Sequence, residues 1–346
     1  MKDFIIVGGG LAGLCFAETA FLHGKTFTLI SDTSHNATGV AAGLYNPVIL
    51  KRFSLPADAA LHREYMLPFY DAIEKRLDTV FMHQLPIYRR FATIEEQNTW
   101  FEAADKPALS PFLITEVIHT KYTGLTSPFG FGRVAGTGYM DTMAFINAYQ
   151  NHLDANGCLK NETFDYKALQ FGDDFVSYKG IKASHIIFAE GFGLHANPYF
   201  ANLPLDGTKG ELLIIKAPEL KLDVAVNAGI FILPVGNNIY KVGATYEWDD
   251  KTVFPTEQGK KELKEKLEEI ITCSYEIIGH LAEVRPTVKD RKPLIGTHVK
   301  HKRLHLLNGL GTRGVMLGPY MAKLLYESVV EGKEIPKAVN FTRFKV

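Results

Sequence analysis

Three glycines near the start of the chain stand at a spacing that serves phosphate binding. Gly8, Gly10 and Gly13 follow an apolar run at 4–7 and open a helical pattern over 11–22. In such a strand–turn–helix unit, the first glycine permits the tight turn, the second lets the backbone approach a pyrophosphate, and the third lets helix and strand pack closely. The positive end of the helix would face the phosphates. The pattern therefore predicts a dinucleotide site.

The acidic residue that usually holds the ribose after the second strand is displaced by one position. The run 26–31 predicts that strand, Ser31 occupies the usual position, and Asp32 follows it. A one-residue shift turns a side chain to the other face of a strand. Two interpretations stay open: Asp32 binds the ribose hydroxyls, or it is a solvated turn residue.

Composition predicts a large globular protein with no strong overall electrostatic field. The chain has 346 residues, of which 46% are hydrophobic and 22% are charged, enough for a large core and two closely packed domains. Its 38 basic and 38 acidic residues cancel, so attraction to nucleic acid or to an anionic membrane would require a local patch. No apolar stretch approaches the roughly 20 residues of a membrane helix.

Cysteine usage predicts a reducing compartment and no metal centre. Cys15, Cys158 and Cys273 are scattered and odd in number, and no CxxC pair is present, which fits neither a disulfide framework nor a zinc site. The opening apolar run ends at Val7 and is too short for the core of a signal peptide. We therefore expect a cytoplasmic protein.

Apolar periodicity predicts helices and strands along the rest of the chain. The region 85–138 is rich in Pro and Phe and predicts strands and loops of a second domain. Asp141 is expected to cap a helix that runs to 153. Further helices are predicted at 57–77, 257–271 and 315–330, and further strands at 183–191, 211–215, 229–234, 239–245 and 305–307.

Four segments in this order resemble the D-amino-acid oxidase superfamily, which includes glycine oxidase, sarcosine oxidase and the D-amino-acid dehydrogenases. They are TGVAAGLYNPV (38–48), GYMDTMAF (138–145), AEVRPTVKDRKPLIG (282–296) and NGLGTRGVMLGP (308–319). The resemblance covers most of the chain and is weakest between 51 and 131. It implies that the dinucleotide is FAD.

The resemblance also implies a mixed α/β and α+β fold. We expect a Rossmann-type FAD-binding domain, with a parallel sheet flanked by helices, into which a largely antiparallel β-sheet substrate domain is inserted. The FAD-binding domain is expected to comprise residues 1–83, 140–204 and 285–346. The substrate domain is expected to comprise 84–139 and 205–284.

Predicted FAD contacts come from the glycine motif, the second strand, the small-residue loop after it, the adenine side and the glycine-rich turn near the C-terminus. Small residues suit a backbone pressed against a planar ring, and the C-terminal turn would face the pyrimidine end of the flavin. The contacts are Gly8, Gly10, Leu11, Ala12, Gly13, Ser31, Asp32, Thr38, Ala41, Ala42, Gly43, Leu44, Phe164, Ala189, Gly191, Gly309, Gly311, Thr312, Arg313, Gly314, Val315 and Met316.

Three residues are candidates for the substrate side of the site. Arg285 matches the arginine with which amino-acid oxidases of the family grip the substrate carboxylate, although a structural ion pair is the alternative. Arg313 is a second candidate. Phe231 stands where glycine oxidase and its relatives place a tyrosine that hydrogen-bonds that carboxylate. No cysteine lies near the segment of covalent attachment in sarcosine oxidases, and His35 lacks the usual context, so the resemblance implies noncovalent FAD.

The function implied is oxidation of a C–N bond of an amine or amino acid, with hydride transfer to the flavin and hydrolysis of the resulting imine. One alternative is a tRNA-directed oxidase that removes a carboxymethyl group from a modified wobble uridine, favoured by the GLYNPV and GTRG segments. Only this alternative requires a nucleic-acid partner. A second alternative is a redox-inactive flavin-binding module. The oligomeric state and the electron acceptor are not readable from the sequence.

Overall fold

The first strand of the chain lies inside a parallel sheet. In the computed structural model, which describes residues 1–32, 34–56 and 58–344, the segment Lys2–Val7 pairs in parallel with Phe27–Ser31 on one side and with Ile181–Phe188 on the other. Its side chains from Phe4 to Val7 are buried. This continuous apolar run is typical of a strand that is covered on both faces.

Strands and helices are numbered along the chain. The strands are β1 (Lys2–Val7), β2 (Phe27–Ser31), β3 (Leu44–Tyr45), β4 (Met82–Gln84), β5 (Ile87–Arg90), β6 (Leu113–Ile118), β7 (Phe131–Val134), β8 (Gly138–Met140), β9 (Leu159–Asn161), β10 (Leu169–Phe171), β11 (Val176–Tyr178), β12 (Ile181–Phe188), β13 (Thr208–Lys216), β14 (Ala225–Asn227), β15 (Phe231–Pro234), β16 (Ile239–Gly243), β17 (Glu276–Arg285), β18 (Leu294–Thr297) and β19 (Leu304–Asn308). The helices are α1 (Leu11–Leu22), α2 (Ala37–Val40), α3 (Ala59–Leu77), α4 (Ile94–Ala104), α5 (Thr142–Ala155), α6 (Glu257–Glu268) and α7 (Gly314–Glu331).

The parallel part of the first sheet runs in the order β9, β2, β1, β12, β19. Antiparallel strands β10, β11 and β18 extend it. Helices α1, α3, α5 and α7 share one apolar core with β1 and β2, which includes Leu14, Tyr70, Phe145 and Met316. Because the strands are parallel, the ends of β1, β2 and β12 meet at one edge, where such sheets bind ligands.

The second sheet is antiparallel except for one pair. Its order is β17, β13, β16, β15, β14, β5, β7, β6, and only β14 and β5 run in parallel. Helix α6 covers β13 and β16 with Leu263 and Leu267. A small third sheet joins β3, β8 and β4. This arrangement confirms the predicted fold class.

Most of the predicted elements are present with shifted ends. Asp141 caps α5 by accepting a hydrogen bond from the Ala144 N–H at 3.0 Å, as predicted. The helix predicted at 57–77 begins at Ala59, and position 57 lies outside the described residues. Helix α4 was not predicted, because only Trp100, Ala103 and Ala104 of its side chains are buried and its apolar pattern is correspondingly weak.

The predicted domain boundaries remain a prediction. Strands of the first sheet come from 2–31, 159–188 and 294–308, and strands of the second come from 87–134 and 208–285. The boundary drawn between 83 and 84 falls inside β4, and the boundary drawn between 284 and 285 falls one residue before the end of β17. Positions 345 and 346 lie outside the described residues.

Candidate active site

The glycine turn between β1 and α1 combines two glycines packed against main chain with one that has a single side-chain neighbour. A Cβ on Gly8 would lie 2.3 Å from the Ala189 carbonyl oxygen, and Gly8 has φ +109°. A Cβ on Gly13 would lie 1.9 Å from the Gly8 carbonyl oxygen. A Cβ on Gly10 would meet only the Thr38 Oγ1, at 3.1 Å. Gly8 and Gly13 are therefore required by packing, whereas the space beside Gly10 is available to a ligand.

A cleft of ≈ 1550 Å³ starts at this turn and reaches the end of β17. Two predicted contacts do not line it: Gly13 packs against Gly8, and a Cβ on Gly309 would lie 2.5 Å from the Val288 side chain. These two glycines shape the backbone instead of facing a ligand. The predicted residues that line the cleft are Gly8, Gly10, Leu11, Ala12, Ser31, Asp32, Thr38, Ala41, Ala42, Gly43, Leu44, Phe164, Ala189, Gly191, Phe231, Arg285, Gly311, Thr312, Arg313, Gly314, Val315 and Met316.

The polar residues at the end of β2 and after it are engaged in hydrogen bonds within the protein. The Ser31 Oγ accepts a hydrogen bond from the Gly9 N–H at 3.1 Å. The Asp32 carboxylate accepts hydrogen bonds from the Ser34 N–H at 3.0 Å and from the Ser34 hydroxyl at 2.6 Å. Burial raises the pKa of Asp32, but the hydrogen bonds from Ser34 and Thr163 lower it more. Asp32 is thus an ionised turn residue that also borders the cleft.

Glu190 is an acidic residue of this end of the cleft that the sequence patterns did not single out. It follows β12, and its carboxylate accepts hydrogen bonds from the Tyr166 hydroxyl and, at 2.8 Å, from the Asn197 side-chain amide. Burial raises its pKa to about 7.

The Phe164 ring stacks on Tyr178 with centroids 4.3 Å apart, so most of that ring belongs to the core.

The small-residue loop after β2 is fixed by backbone contacts. The Thr38 Oγ1 accepts a hydrogen bond from the Leu11 N–H at 3.1 Å, which ties this loop to the start of α1. The Gly43 carbonyl accepts the Met140 N–H at 3.0 Å, and a Cβ on Gly43 would lie 1.9 Å from the Met140 carbonyl oxygen. Gly43 also has φ +76°, a conformation that favours glycine.

At the other end of the cleft, Arg285 has no acidic partner among the described residues. Its Nη1 donates to the backbone carbonyls of Thr245, at 3.2 Å, and Lys209, at 3.4 Å. Its guanidinium lies 4.6 Å from the ring centroid of Tyr246. Burial lowers the pKa of Arg285, and the neighbouring Tyr246 raises it slightly. A Cβ on Gly210 would lie 1.8 Å from the Nη2, so only glycine leaves room for this side chain.

Arg313 lines the same cleft from the turn before α7. Its Nη2 is buried without a hydrogen-bond partner in the described part of the chain, and burial lowers its pKa. The Gly311 N–H donates to the Pro286 carbonyl at 3.2 Å, which joins this turn to the segment of Arg285. Phe231 presents only a ring to the cleft, so it offers no hydrogen bond.

These features fit an extended dinucleotide such as FAD. The start of α1 has no acidic residue in its first turn, so its positive end is free for a pyrophosphate. The space beside Gly10 is the approach that a pyrophosphate needs. The cleft then continues along the small-residue loop to the turn before α7. Among the described residues, no group of three or more His, Cys, Asp or Glu side chains is placed to hold a metal ion.

A model of the protein family described as FAD dependent oxidoreductase matches residues 3–328 of this chain. The chain belongs to this family of FAD-dependent oxidoreductases. The match confirms the resemblance predicted from the four segments and, with it, the prediction of FAD. The described part of the chain contains no helix with the length and apolar character that a membrane crossing requires.

The curated relatives that this chain matches include proteins named as bifunctional. The chain is 22% identical over 312 residues to the tRNA 5-methylaminomethyl-2-thiouridine biosynthesis bifunctional protein MnmC of Legionella pneumophila, a match covering 85% of this chain and 45% of the relative. It is 25% identical to the MnmC protein of Burkholderia pseudomallei, covering 85% and 48%. The chain thus spans about half the length of the curated relatives it matches.

Solved structures of three enzymes share the whole fold. Glycine oxidase from Geobacillus kaustophilus superimposes with a TM-score of 0.80 at 20% identity, covering 100% of this chain and 99% of the other. L-amino acid deaminase from Proteus vulgaris gives 0.78 at 15%, covering 99% and 97%. Iminodiacetate oxidase from Chelativorans sp. BNC1 gives 0.73 at 18%, covering 98% and 99%. At these identities the likeness concerns the fold.

Proposed function

We propose that this flavoprotein oxidises a C–N bond of an amine that carries a carboxylate. The observation that carries the proposal is Arg285, a partly buried guanidinium that lines the cleft and has no acidic partner among the described residues. A buried cation without a counter-ion is costly, and a ligand carboxylate would supply the missing anion. The amino-acid and amine substrates named for the structurally similar enzymes agree with this chemistry.

The side chains of the cleft give each part of the substrate a place. Because Nη1 of Arg285 is held by the carbonyls of Thr245 and Lys209, its remaining N–H groups are left to grip a carboxylate. Phe231 offers an apolar wall in place of a hydrogen-bonding phenol. With the carboxylate fixed, the carbon that bears the nitrogen is held in one orientation, which is the main contribution of a protein to such a reaction.

The bound FAD would accept a hydride from that carbon. The substrate nitrogen loses a proton, the C–N bond becomes an imine, and water hydrolyses the imine to a carbonyl compound and an amine. In this proposal, the residues predicted to hold FAD are those of the glycine turn, the loop 38–44 and the turn before α7. The backbone N–H groups at the start of α7 would face the pyrimidine ring, where negative charge develops on reduction.

An anaerobic screen of amines and amino acids tests the proposal. We expect at least one carboxylate-bearing amine to bleach the flavin absorbance near 450 nm at a rate that saturates with its concentration. The matched N-acetylated compound should leave the spectrum unchanged, because its nitrogen lone pair is delocalised. If only dithionite bleaches the flavin, the protein is a redox-inactive flavin-binding module and the proposal is wrong.

A tRNA-directed oxidase is the second candidate. The curated relatives named for tRNA modification support it, as does an exposed aromatic pair beside the cleft: Tyr246 is 61% exposed and Trp248 is 44% exposed, with Arg291 lying 6.0 Å from the Trp248 ring centroid. Aromatic rings beside a cation are suited to stacking with bases. The net charge of zero weighs against it. Reduction by modified tRNA, but by no small amine, would favour this candidate.

The expected partner follows from the same proposal. A small amine or amino acid is the expected partner, and nucleic acid becomes one only under the second candidate. The cytoplasmic location predicted from the cysteines stays a prediction. Fractionation of cells, with the protein detected by antibody, is the direct measurement.

A further inference from the structure

The cleft holds a second partly buried arginine without an acidic partner among the described residues. Arg313 and Arg285 both line it, and neither forms an ion pair with any described residue. In Arg313 the Nη2 is buried and has no hydrogen-bond partner in this part of the chain. An unpartnered buried guanidinium loses its hydration without compensation. Two partly buried cations without a counter-ion in one cleft suit a ligand that carries two anionic groups.

The acidic residues that share this end of the cleft are already engaged. The Glu211 carboxylate accepts hydrogen bonds from the Thr256 N–H at 2.9 Å and from its hydroxyl at 2.8 Å. The Glu283 carboxylate accepts the Asn36 N–H at 3.0 Å and its neighbour's N–H at 2.9 Å. Both carboxylates therefore tie elements together and do not neutralise the arginines.

The two arginines are held in fixed relation by the backbone. Arg285 ends β17 and is followed by Pro286, whose carbonyl accepts the Gly311 N–H at 3.2 Å. Arg313 lies two residues beyond Gly311, immediately before α7. Two cations fixed along one cleft favour a ligand whose anionic groups are spaced to match them, because part of the cost of ordering the side chains is already met.

From this arrangement we propose that the substrate is an amine with two carboxylates, one bound by Arg285 and the other by Arg313. An N-(carboxymethyl) amino acid belongs to that class. The inference rests on the proposed amine oxidation and adds the second anionic group. It also explains why an apolar Phe231 suffices at the position where glycine oxidase and its relatives have a tyrosine, since Arg313 would provide the second polar contact.

Binding of unreactive acids to the FAD-loaded protein tests the inference without turnover. Thiodiacetate carries two carboxylates on a thioether, and (methylthio)acetate is the matched acid with one. Flavin difference spectra and calorimetry give both affinities. We expect thiodiacetate to bind at least about 10-fold more tightly than (methylthio)acetate, because a second charge-assisted pair increases affinity by a factor of this order.

Variants assign the second carboxylate. Arg313→Met, saturated with FAD before the titration, should reduce the ratio of the two affinities to near one, whereas Arg285→Met should weaken binding of both acids. Lys51→Met is the matched control, since Lys51 is an exposed cation of the same cleft, and it should keep the ratio. Loss of the ratio in Lys51→Met would assign the second carboxylate elsewhere and overturn the role of Arg313.

Two further results would overturn the inference. Equal affinities of the wild-type protein for both acids would do so, and this comparison needs no variant to fold. Loss of FAD from Arg313→Met, with the wild-type ratio retained in Arg313→Lys, would assign Arg313 to the flavin. In either case, bleaching by amines with a single carboxylate would leave the proposed function intact.

Discussion

Arg285 owes its position to the residues packed around it. The absence of a side chain at Gly210 leaves the space that Nη2 occupies, and two backbone carbonyls hold Nη1. Tyr246 covers one face of the guanidinium. A planar, always charged group held in this way can present a fork to a carboxylate, which the rounder ammonium of lysine cannot do.

Substitution of Arg285 should therefore weaken the substrate step and spare the cofactor. Arg285→Ala should reduce kcat/KM for the best amine by roughly 30-fold or more, since loss of a partly desolvated charge pair costs about 2–5 kcal/mol. Arg285→Lys should give a smaller loss, because the charge remains and the paired donors do not. FAD content, measured from the absorbance ratio of the purified protein, should stay at the wild-type value. Wild-type efficiency in Arg285→Ala would refute the carboxylate role.

Glu190 provides a pH test at the opposite end of the cleft. Burial raises its pKa to about 7, above the ordinary value of 4.5 that it regains on unfolding. Protonation of Glu190 therefore stabilises the folded state fully below about pH 4.5, and this contribution is lost as the pH rises through 7. Between pH 5 and pH 8, the free energy of unfolding of the wild-type apoprotein, measured with urea, should fall by up to about 3 kcal/mol relative to that of Glu190→Gln. A pH-independent difference would mean that Glu190 is ionised throughout.

Sequence patterns identified the residues whose neighbours along the chain determine their role. Gly8, Gly10 and Gly13 were recognised because strand, turn and helix are contiguous. Glu190 and Gly210 were missed because their partners are brought to them by the fold: Tyr166 reaches Glu190 across 24 positions, and Arg285 reaches Gly210 through the pairing of β13 with β17. A single sequence does not give strand register, so these contacts required the structure.

At the scale of elements, the turn between β1 and α1 contains two glycines that the fold requires and one that cofactor binding is expected to require. The nearest neighbours of a Cβ at Gly8 or Gly13 are main-chain atoms, which cannot move aside. At Gly10 the backbone has φ −84° and ψ −173°, which any residue adopts, and the nearest atom is a threonine hydroxyl. The same motif therefore contains positions whose substitution should have different consequences.

Gly10→Val should abolish FAD binding and leave the fold intact, because its side chain would occupy the approach of the pyrophosphate. Gly13→Val is the contrasting variant and should fold poorly, since its Cβ would overlap the Gly8 carbonyl. Flavin content and circular dichroism of the two purified proteins distinguish these effects. Normal FAD content in Gly10→Val would contradict the assignment of the glycine motif.

Helices show where pattern recognition worked and where it did not. Helix α5 was predicted because Asp141 caps it and its buried residues, such as Phe145 and Tyr149, recur at helical spacing. Helix α4 buries only residues near its C-terminal end, so its sequence resembles an exposed connection. Its cap, Thr93, which accepts the Glu96 N–H at 3.2 Å, was the available signal.

At the scale of the whole molecule, the cleft draws its walls from both large sheets. The glycine turn and Glu190 follow strands of the parallel sheet, whereas Phe231 and Arg285 belong to strands of the antiparallel sheet. The chain passes between the two sheets several times, because the strands of the antiparallel sheet come from 87–134 and 208–285. A ligand that fills the cleft therefore contacts segments distant in sequence, and all of them must be folded for it to bind.

FAD should accordingly stabilise the protein as a whole and should be released intact when the protein unfolds. A ligand that binds only the folded state adds about 2.7 kcal/mol at a free concentration 100 times its Kd. For a chain of this size, we expect the Tm of the apoprotein to rise by roughly 5 °C on addition of saturating FAD, and Gly10→Val should show no rise. Acid precipitation of the yellow holoprotein should leave FAD in the supernatant, because no covalent attachment site is evident in the sequence. Flavin that remains with the pellet would show a covalent bond, and stabilisation by NAD without any flavin would contradict the predicted cofactor.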